Sequence, residues 1–262
     1  MSKTQPIGIF DSGVGGTSIW KEIHELLPNE HTIYLADSSN APYGEKPREE
    51  IVRLSFKNTE RLLEMGAKII VVACNTATTN AIQKLRSSFN VPFIGIEPAI
   101  KPAATQSQTK AIGILATRGT LSSELFAKTS DLYSKNTRVI EVIGHGLVTA
   151  IESGQKDSEE VNGLLQNLLE PMIAQGIDYL VLGCSHYPYL IPNLKRLLPD
   201  SVTIIDSGQA VAKQTRLVLN SFDLLSHTPQ KPPEFFTNGN PEILRNLINT
   251  ETRSYDVTYL DF

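Results

Sequence analysis

The chain has 262 residues and a formal charge of −4, from 24 Lys and Arg against 28 Asp and Glu, with 40% hydrophobic and 20% charged residues. This balance excludes an intrinsically disordered chain and argues against a dedicated nucleic-acid binder. No run approaches the roughly 18 apolar residues that cross a bilayer, and the N-terminal Met-Ser-Lys-Thr-Gln-Pro has no apolar signal core, so a cytoplasmic globule with no membrane partner is expected.

In chain order, a first apolar run at Pro6 to Phe10 leads into Asp11-Ser12-Gly13-Val14-Gly15-Gly16-Thr17-Ser18 and then an apolar helical face of Ile19, Ile23, Leu26 and Leu27. A Gly-rich turn between strand and helix points N–H groups at an anion. However, no lysine precedes the Ser or Thr, and the glycine spacing is not G-x-G-x-x-G, so an NTPase is not supported. A tight turn with Asp11 as a cap is the plain alternative. The second run, Thr32 to Ala36, ends in the polar loop Asp37-Ser38-Ser39-Asn40-Ala41-Pro42-Tyr43-Gly44, of the kind that binds ligands on a rigid scaffold. Ile51, Leu54, Leu62 and Leu63 form the next helical face, and Ile69 to Ala73 the next strand. Cys74-Asn75-Thr76-Ala77-Thr78-Thr79 follows, at the start of a helix with its body at Ala81 to Phe89. A helix N-terminus can lower a thiol pKa, whereas an isolated cysteine is more commonly a small buried hydrophobe.

After a strand at Pro92 to Ile96, Lys101 to Lys110 reads as a loop crossing between lobes. Strands are then expected at Ala111 to Leu115, followed by Thr117 and Thr120, and at Val139 to Ile143, followed by an apolar run before Glu152. Leu164, Leu165, Leu168 and Leu169 give a helical face. The strand Tyr179 to Leu182 leads into Cys184-Ser185-His186-Tyr187-Pro188, a helix-like run at Asn193 to Leu198 and a strand at Val202 to Ile205. His186, whose ordinary value lies near neutrality, can exchange protons with Cys184 or favour its thiolate electrostatically, whereas a lone His is often just a satisfied polar residue. A zinc site on Cys184, His186 and Cys74 lacks a further ligand at suitable spacing, so no metal is expected. Ser226 to Pro233, with three prolines, reads as a loop.

Apolar strands alternating with helices indicate an α/β fold with mainly parallel sheets. The sequence also echoes itself. Ile7-Gly8-Ile9-Phe10 aligns with Ile112-Gly113-Ile114-Leu115, and Ile70 to Cys74 with Leu180 to Cys184. A duplication would make two similar lobes with the thiols at equivalent strand ends, where ligands bind in open α/β sheets. The lobes are expected at 1–97 plus about 210–262, and at 98–209. Two cysteines in a reducing cytosol are expected to be free thiols rather than a disulfide.

Together, Asp11 to Gly16, Asp37 to Gly44, Ala73 to Thr78, Ile94 to Pro98, Leu115 to Thr120 and Gly183 to Pro188 resemble, in composition and order, the glutamate racemases of the aspartate/glutamate racemase family. The resemblance implies a cofactor-independent isomerase interconverting L- and D-glutamate for bacterial peptidoglycan and cell shape, with the site in a cleft between lobes and a homodimer. It implies Cys74 and Cys184 as catalytic bases, assisted by Asp11 and His186, with Glu152 as a further acid. It also implies substrate contacts at Asp11, Ser12, Tyr43, Gly44, Asn75, Thr76, Thr117, Thr120 and Ser185. No activation by a peptidoglycan precursor is expected, because the chain starts close to its first strand. Two departures stand out: Ser185 replaces the family's common Thr, and Gly144 to Ala150, including His145, does not follow the Cys-Pro-rich form common before Glu152. Related racemases acting on aspartate, or a non-enzymatic ligand-binding protein with inert cysteines, are the alternatives. The chemistry itself favours two thiols, because inverting a stereocentre by proton exchange needs a base on one face of the α-carbon and an acid on the other.

Overall fold

The computed structural model describes residues 1–262, the side chain of Ser134 excepted. Its elements run β1 (Ile7–Asp11), α1 (Thr17–Leu26), β2 (Thr32–Ala36), α2 (Arg48–Glu64), β3 (Ile69–Val72), α3 (Asn75–Ser88), β4 (Phe93–Gly95), α4 (Ile100–Gln106), β5 (Ala111–Ala116), α5 (Arg118–Leu121) and α6 (Glu124–Ser134). They continue as β6 (Arg138–Ile143), α7 (Leu147–Glu152), α8 (Glu159–Ile173), β7 (Tyr179–Gly183), α9 (Ile191–Leu197), β8 (Thr203–Ile205), α10 (Gly208–Ser221), β9 (Glu234–Thr237), α11 (Pro241–Ile248) and β10 (Val257–Tyr259).

The strands form two sheets, in the orders β10-β9-β2-β1-β3-β4 and β6-β5-β7-β8, and every pairing within them is parallel. Parallel strands need crossover connections, and helices supply them. The order β2-β1-β3-β4 recurs as β6-β5-β7-β8. Register recurs too: Phe10 lies opposite Val72 in the first sheet and Leu115 opposite Leu182 in the second, as the two sequence echoes require. Each cysteine therefore follows the strand beside the central one, at its carboxyl end.

Burial explains why the central strands are apolar throughout. Ile7, Ile9 and Phe10 are fully covered, as are Ile112, Ile114 and Leu115. The helical faces read from sequence are largely inward, with Ile19, Ile23, Ile51, Leu54, Leu62, Leu165 and Leu169 buried. One expectation needs correction. Most of the crossing at Lys101 to Lys110 is helix, not loop, because Ile100, Ala103 and Ala104 pack onto Ile112, Ile114 and Val181. The helix α3 begins at Asn75 with Cys74 as its cap, in line with the thiol expected at its start. Strands β9 and β10 were not anticipated; they extend the first sheet beyond β2.

Beneath the first sheet, Lys68 and Glu30 are paired at 2.6 Å with both side chains sealed from solvent. The ammonium also donates to the carbonyls of Lys3 and Leu224. Removing one member strands the other's charge, so Lys68→Ala is expected to lower the unfolding free energy by about 3–5 kcal/mol. Urea denaturation measures this; a loss below about 1 kcal/mol would mean that Glu30 is relieved by protonation or water.

Candidate active site

The strand β1 delivers Asp11, fully buried, into the Gly-rich turn, where its Oδ2 accepts the Gly16 N–H at 2.8 Å. The turn thus spends this amide on its own carboxylate. Its glycines mark close approaches instead. A Cβ on Gly15 would overlap the His186 ring, one on Gly13 the Glu152 carboxylate, and one on Gly16 would come within 2.7 Å of Asp11 Cβ. Two of those three neighbours come from the second sheet's half, so absent side chains let the halves meet here.

Cys74 is the N-cap of α3: its Sγ accepts the Ala77 N–H at 3.4 Å and its thiol points to Ser12 Oγ at 3.6 Å. On the other side, Cys184 Sγ lies 3.8 Å from His186 Nδ1. Asp11 joins the two sides. Its Oδ1 lies 3.5 Å from Ser12 Oγ and 3.2 Å from Ser185 Oγ, and Ser185 Oγ lies 3.4 Å from His186 Nδ1. Both thiols, only 4% and 7% exposed, terminate one buried polar chain. Beyond His186, Nε2 contacts Glu152 Oε1 at 2.5 Å, and that carboxylate also accepts the Val14 N–H at 2.7 Å and the Ser38 hydroxyl at 2.9 Å.

Burial raises Asp11 above its ordinary value, against the opposing charge of His186. Burial, joined by the Asp11 charge, also holds Cys74 well above the usual thiol range, outweighing the Ala77 and Ser12 hydrogen bonds. The helix terminus therefore does not by itself yield a thiolate here. Burial pulls His186 down, but contacts with Cys184 and Glu152 and the charge of Asp11 lift it well above 6.5. Because the folded value exceeds the unfolded one, the stability that protonated His186 contributes is complete below about pH 6.5 and is lost as pH rises through the folded value. Parent and His186→Gln thermal unfolding curves are expected to converge as pH rises above about 6.5 and through the folded value. A constant gap between them would show that His186 does not change protonation on unfolding.

Around this chain the halves share hydroxyls. Thr76 Oγ1 lies 2.8 Å from Thr117 Oγ1 and 3.3 Å from Thr120 Oγ1, which are themselves 3.0 Å apart. Asn80 Nδ2 donates to the Gly119 carbonyl at 2.9 Å. Asn75 is 2% exposed, and neither its amide nitrogen nor its oxygen has a partner among the described residues. A buried amide with both ends free is a ready ligand contact.

Gly44 lies against Thr117 and Gly119 at the same junction. Tyr43 is placed differently from a side-chain ligand. Its hydroxyl donates to Asp37 Oδ2 at 2.5 Å and accepts from Asn58 Nδ2 at 2.9 Å, so it is already engaged. Asp37 also accepts from Asn40 and Asn238, so it secures the loop as a whole. Sequence reasoning missed this hub and the links from Ser38 to Glu152 and from Ser18 Oγ to the Ser185 carbonyl, 2.8 Å apart. Their signal was only a polar loop and a hydroxyl in a Gly-rich turn. Among the described residues no three His, Cys, Asp or Glu are arranged to hold a metal ion, and no helix is long and apolar enough to cross a membrane.

The family model described as Asp/Glu/Hydantoin racemase matches residues 7–215. A glutamate racemase of Ectopseudomonas mendocina is 46% identical over 95% of both chains, and one of Herpetosiphon aurantiacus 44% identical over 91% of this chain and 94% of its own. The crystal structure of glutamate racemase RacE1 from Bacillus anthracis superposes with a TM-score of 0.87 at 31% identity, covering 99% of this chain and 98% of that one. The Francisella tularensis glutamate racemase, solved in complex with D-glutamate, gives 0.83 at 27% identity with the same coverage. Through a match spanning most of its sequence and relatives this similar along nearly its whole length, the chain belongs to the Asp/Glu/hydantoin racemase family.

Proposed function

We propose that the chain is a glutamate racemase working by two-base proton transfer with Cys74 and Cys184, in the cleft between lobes divided near residues 97 and 209. The observation that carries this reading is the pairing of two buried thiols at equivalent strand ends, joined through Ser12, Asp11, Ser185 and His186. The similarity of the curated glutamate racemases supports glutamate as substrate.

In the L-to-D direction, Cys184 as thiolate takes the α-proton from one face and the Cys74 thiol returns a proton to the other. Cys74, kept protonated by burial, is suited to donate first. Turnover leaves Cys74 as thiolate and Cys184 as thiol, which is the form that starts the reverse reaction. His186 holds a proton beside Cys184, and Glu152 fixes the imidazole from its other nitrogen. Asp11 bears on both sides. The α-carbanion is stabilised by oriented donors in a site closed to water. Asn75 offers an N–H to the substrate carboxylate and a carbonyl to its ammonium; the hydroxyls of Thr76, Thr117, Thr120, Ser12 and Ser185 and the main chain at Tyr43 and Gly44 supply the remaining contacts.

Such a product serves peptidoglycan precursor synthesis in the cytoplasm, and the family resemblance supports a homodimer, which light scattering tests. The decisive assay incubates the protein with glutamate in deuterated water without added cofactor or metal. Exchange of the α-proton with racemisation is the expected result. No exchange above background refutes the reading, and a higher kcat/KM for aspartate reassigns the substrate.

A further inference from the structure

Resting on the glutamate reading, we propose that Arg118, oriented by His145, is a substrate-capture residue at the mouth of the cleft, recognising the carboxylates of the incoming amino acid. At the junction of the halves a small pocket is lined on one side by Gly44 and Glu45 and on the other by Thr117, Arg118, His145 and Thr149. Its inner wall is already part of the site: Thr117 belongs to the hydroxyl cluster with Thr76, and Gly44 packs against it. Arg118, directly after Thr117, stands where that wall meets solvent.

The segment containing His145 is held in place. Gly144 leaves room that a Cβ would deny to the Tyr187 hydroxyl, and that hydroxyl donates to the Gly144 carbonyl at 3.2 Å. Gly146 takes a left-handed φ of 77°, turning the chain into α7. His145 is thereby presented outward, with its Nε2 3.3 Å from Arg118 Nη2. A guanidinium has no acceptor, so the imidazole nitrogen accepts and the proton sits on Nδ1. The contact orients the arginine without neutralising it. Among the described residues no carboxylate forms an ion pair with Arg118, and Arg118 is the one fixed cation lining the mouth. In the site itself Asp11 bonds Ser185 and Glu152 contacts His186, so on the glutamate reading an anionic substrate must bind beside two carboxyl groups. A cation at the entrance offsets that field and raises the local concentration of a dicarboxylate.

Kinetics in both directions, from about 0.01 to about 0.3 M ionic strength, test this with Arg118→Gln, Arg118→Lys, His145→Leu and a control, Arg196→Gln, which removes the same charge from exposed α9. At low salt Arg118→Gln is expected to raise KM for glutamate about fivefold with kcat within about twofold of the parent. The parent's kcat/KM should fall with salt while that of Arg118→Gln stays nearly flat; Arg118→Lys should restore most of the difference, and His145→Leu should raise KM about twofold. An Arg118→Gln variant with the parent's KM and salt dependence overturns the proposal, as does an Arg196→Gln variant that behaves like Arg118→Gln. A parent that exchanges no α-proton refutes the racemase reading instead, and calorimetric affinity for D-glutamate then decides on Arg118: equal affinity in parent and variant overturns its role.

Discussion

Replacing Cys74 with Ser is expected to lower racemisation about 10³-fold while sparing part of one half-reaction, the loss being of the size that a positioned general acid or base contributes. L-Glutamate should still exchange its α-proton with deuterated water through Cys184, whereas D-glutamate should not. Cys184→Ser should give the converse. Serine has nearly the shape of cysteine and keeps a hydroxyl toward Ser12 or His186, so the fold is retained, and circular dichroism checks that. The enantiomer that stops exchanging in each variant assigns each sulfur to a face. Variants that both racemise within about tenfold of the parent would remove the thiols from the chemistry.

Gly15→Ala should be nearly as damaging, although residue 15 carries no functional group. A methyl there overlaps the His186 ring. The ring has little room to retreat, because it is 1% exposed and its far nitrogen is bonded to Glu152, whose carboxylate is itself tied to Val14 and Ser38. Either the ring leaves Cys184 or the two halves stop closing, and a displacement of about 1 Å at a reacting group costs about 10² in rate. The expected result is a kcat lower by about 10² in both directions, together with a loss of about 1–3 kcal/mol in unfolding free energy from the overpacked junction. A kcat within about threefold would show that His186 tolerates the shift and has no strict geometric role.

The eight strands read from the sequence are all present; β1, β3, β5 and β7, covered on both faces, are apolar but for Asp11 at the end of β1, while the edge strands β6 and β8 are legible by their β-branched residues alone. Elsewhere legibility lapses. The short edge strand β10 exposes two of its three residues, and β9 follows a proline-rich stretch. The helix α4 was hidden by a polar composition whose few apolar residues, Ile100, Ala103 and Ala104, happen to share a buried face. In the site, the spacing Cys-Ser-His already brought His186 beside Cys184, and the echo between halves gave the thiols equivalent positions. What no spacing encodes is contact between halves. Glu152 reaching Val14 and Ser38, or Thr76 meeting Thr117 and Thr120, follows from how two sheets are set together. Of the two readings of the Gly-rich turn, the tight turn held by Asp11 is the one formed, through the Gly16 N–H, and its glycines also admit a neighbouring imidazole and carboxylate.

The repeated sheet is a near-copy with unequal wiring: Asp11 corresponds to Ala116 and Asn75 to Ser185 in the register of the two halves. Mirror-image solutes have the same free energy in water, so the equilibrium between them is unity and the Haldane relation makes kcat/KM identical in both directions. Inequality between the copies can therefore never bias the final mixture. It can only trade turnover against saturation, so that whichever enantiomer is handled faster at high concentration must also be held more loosely, in the same proportion.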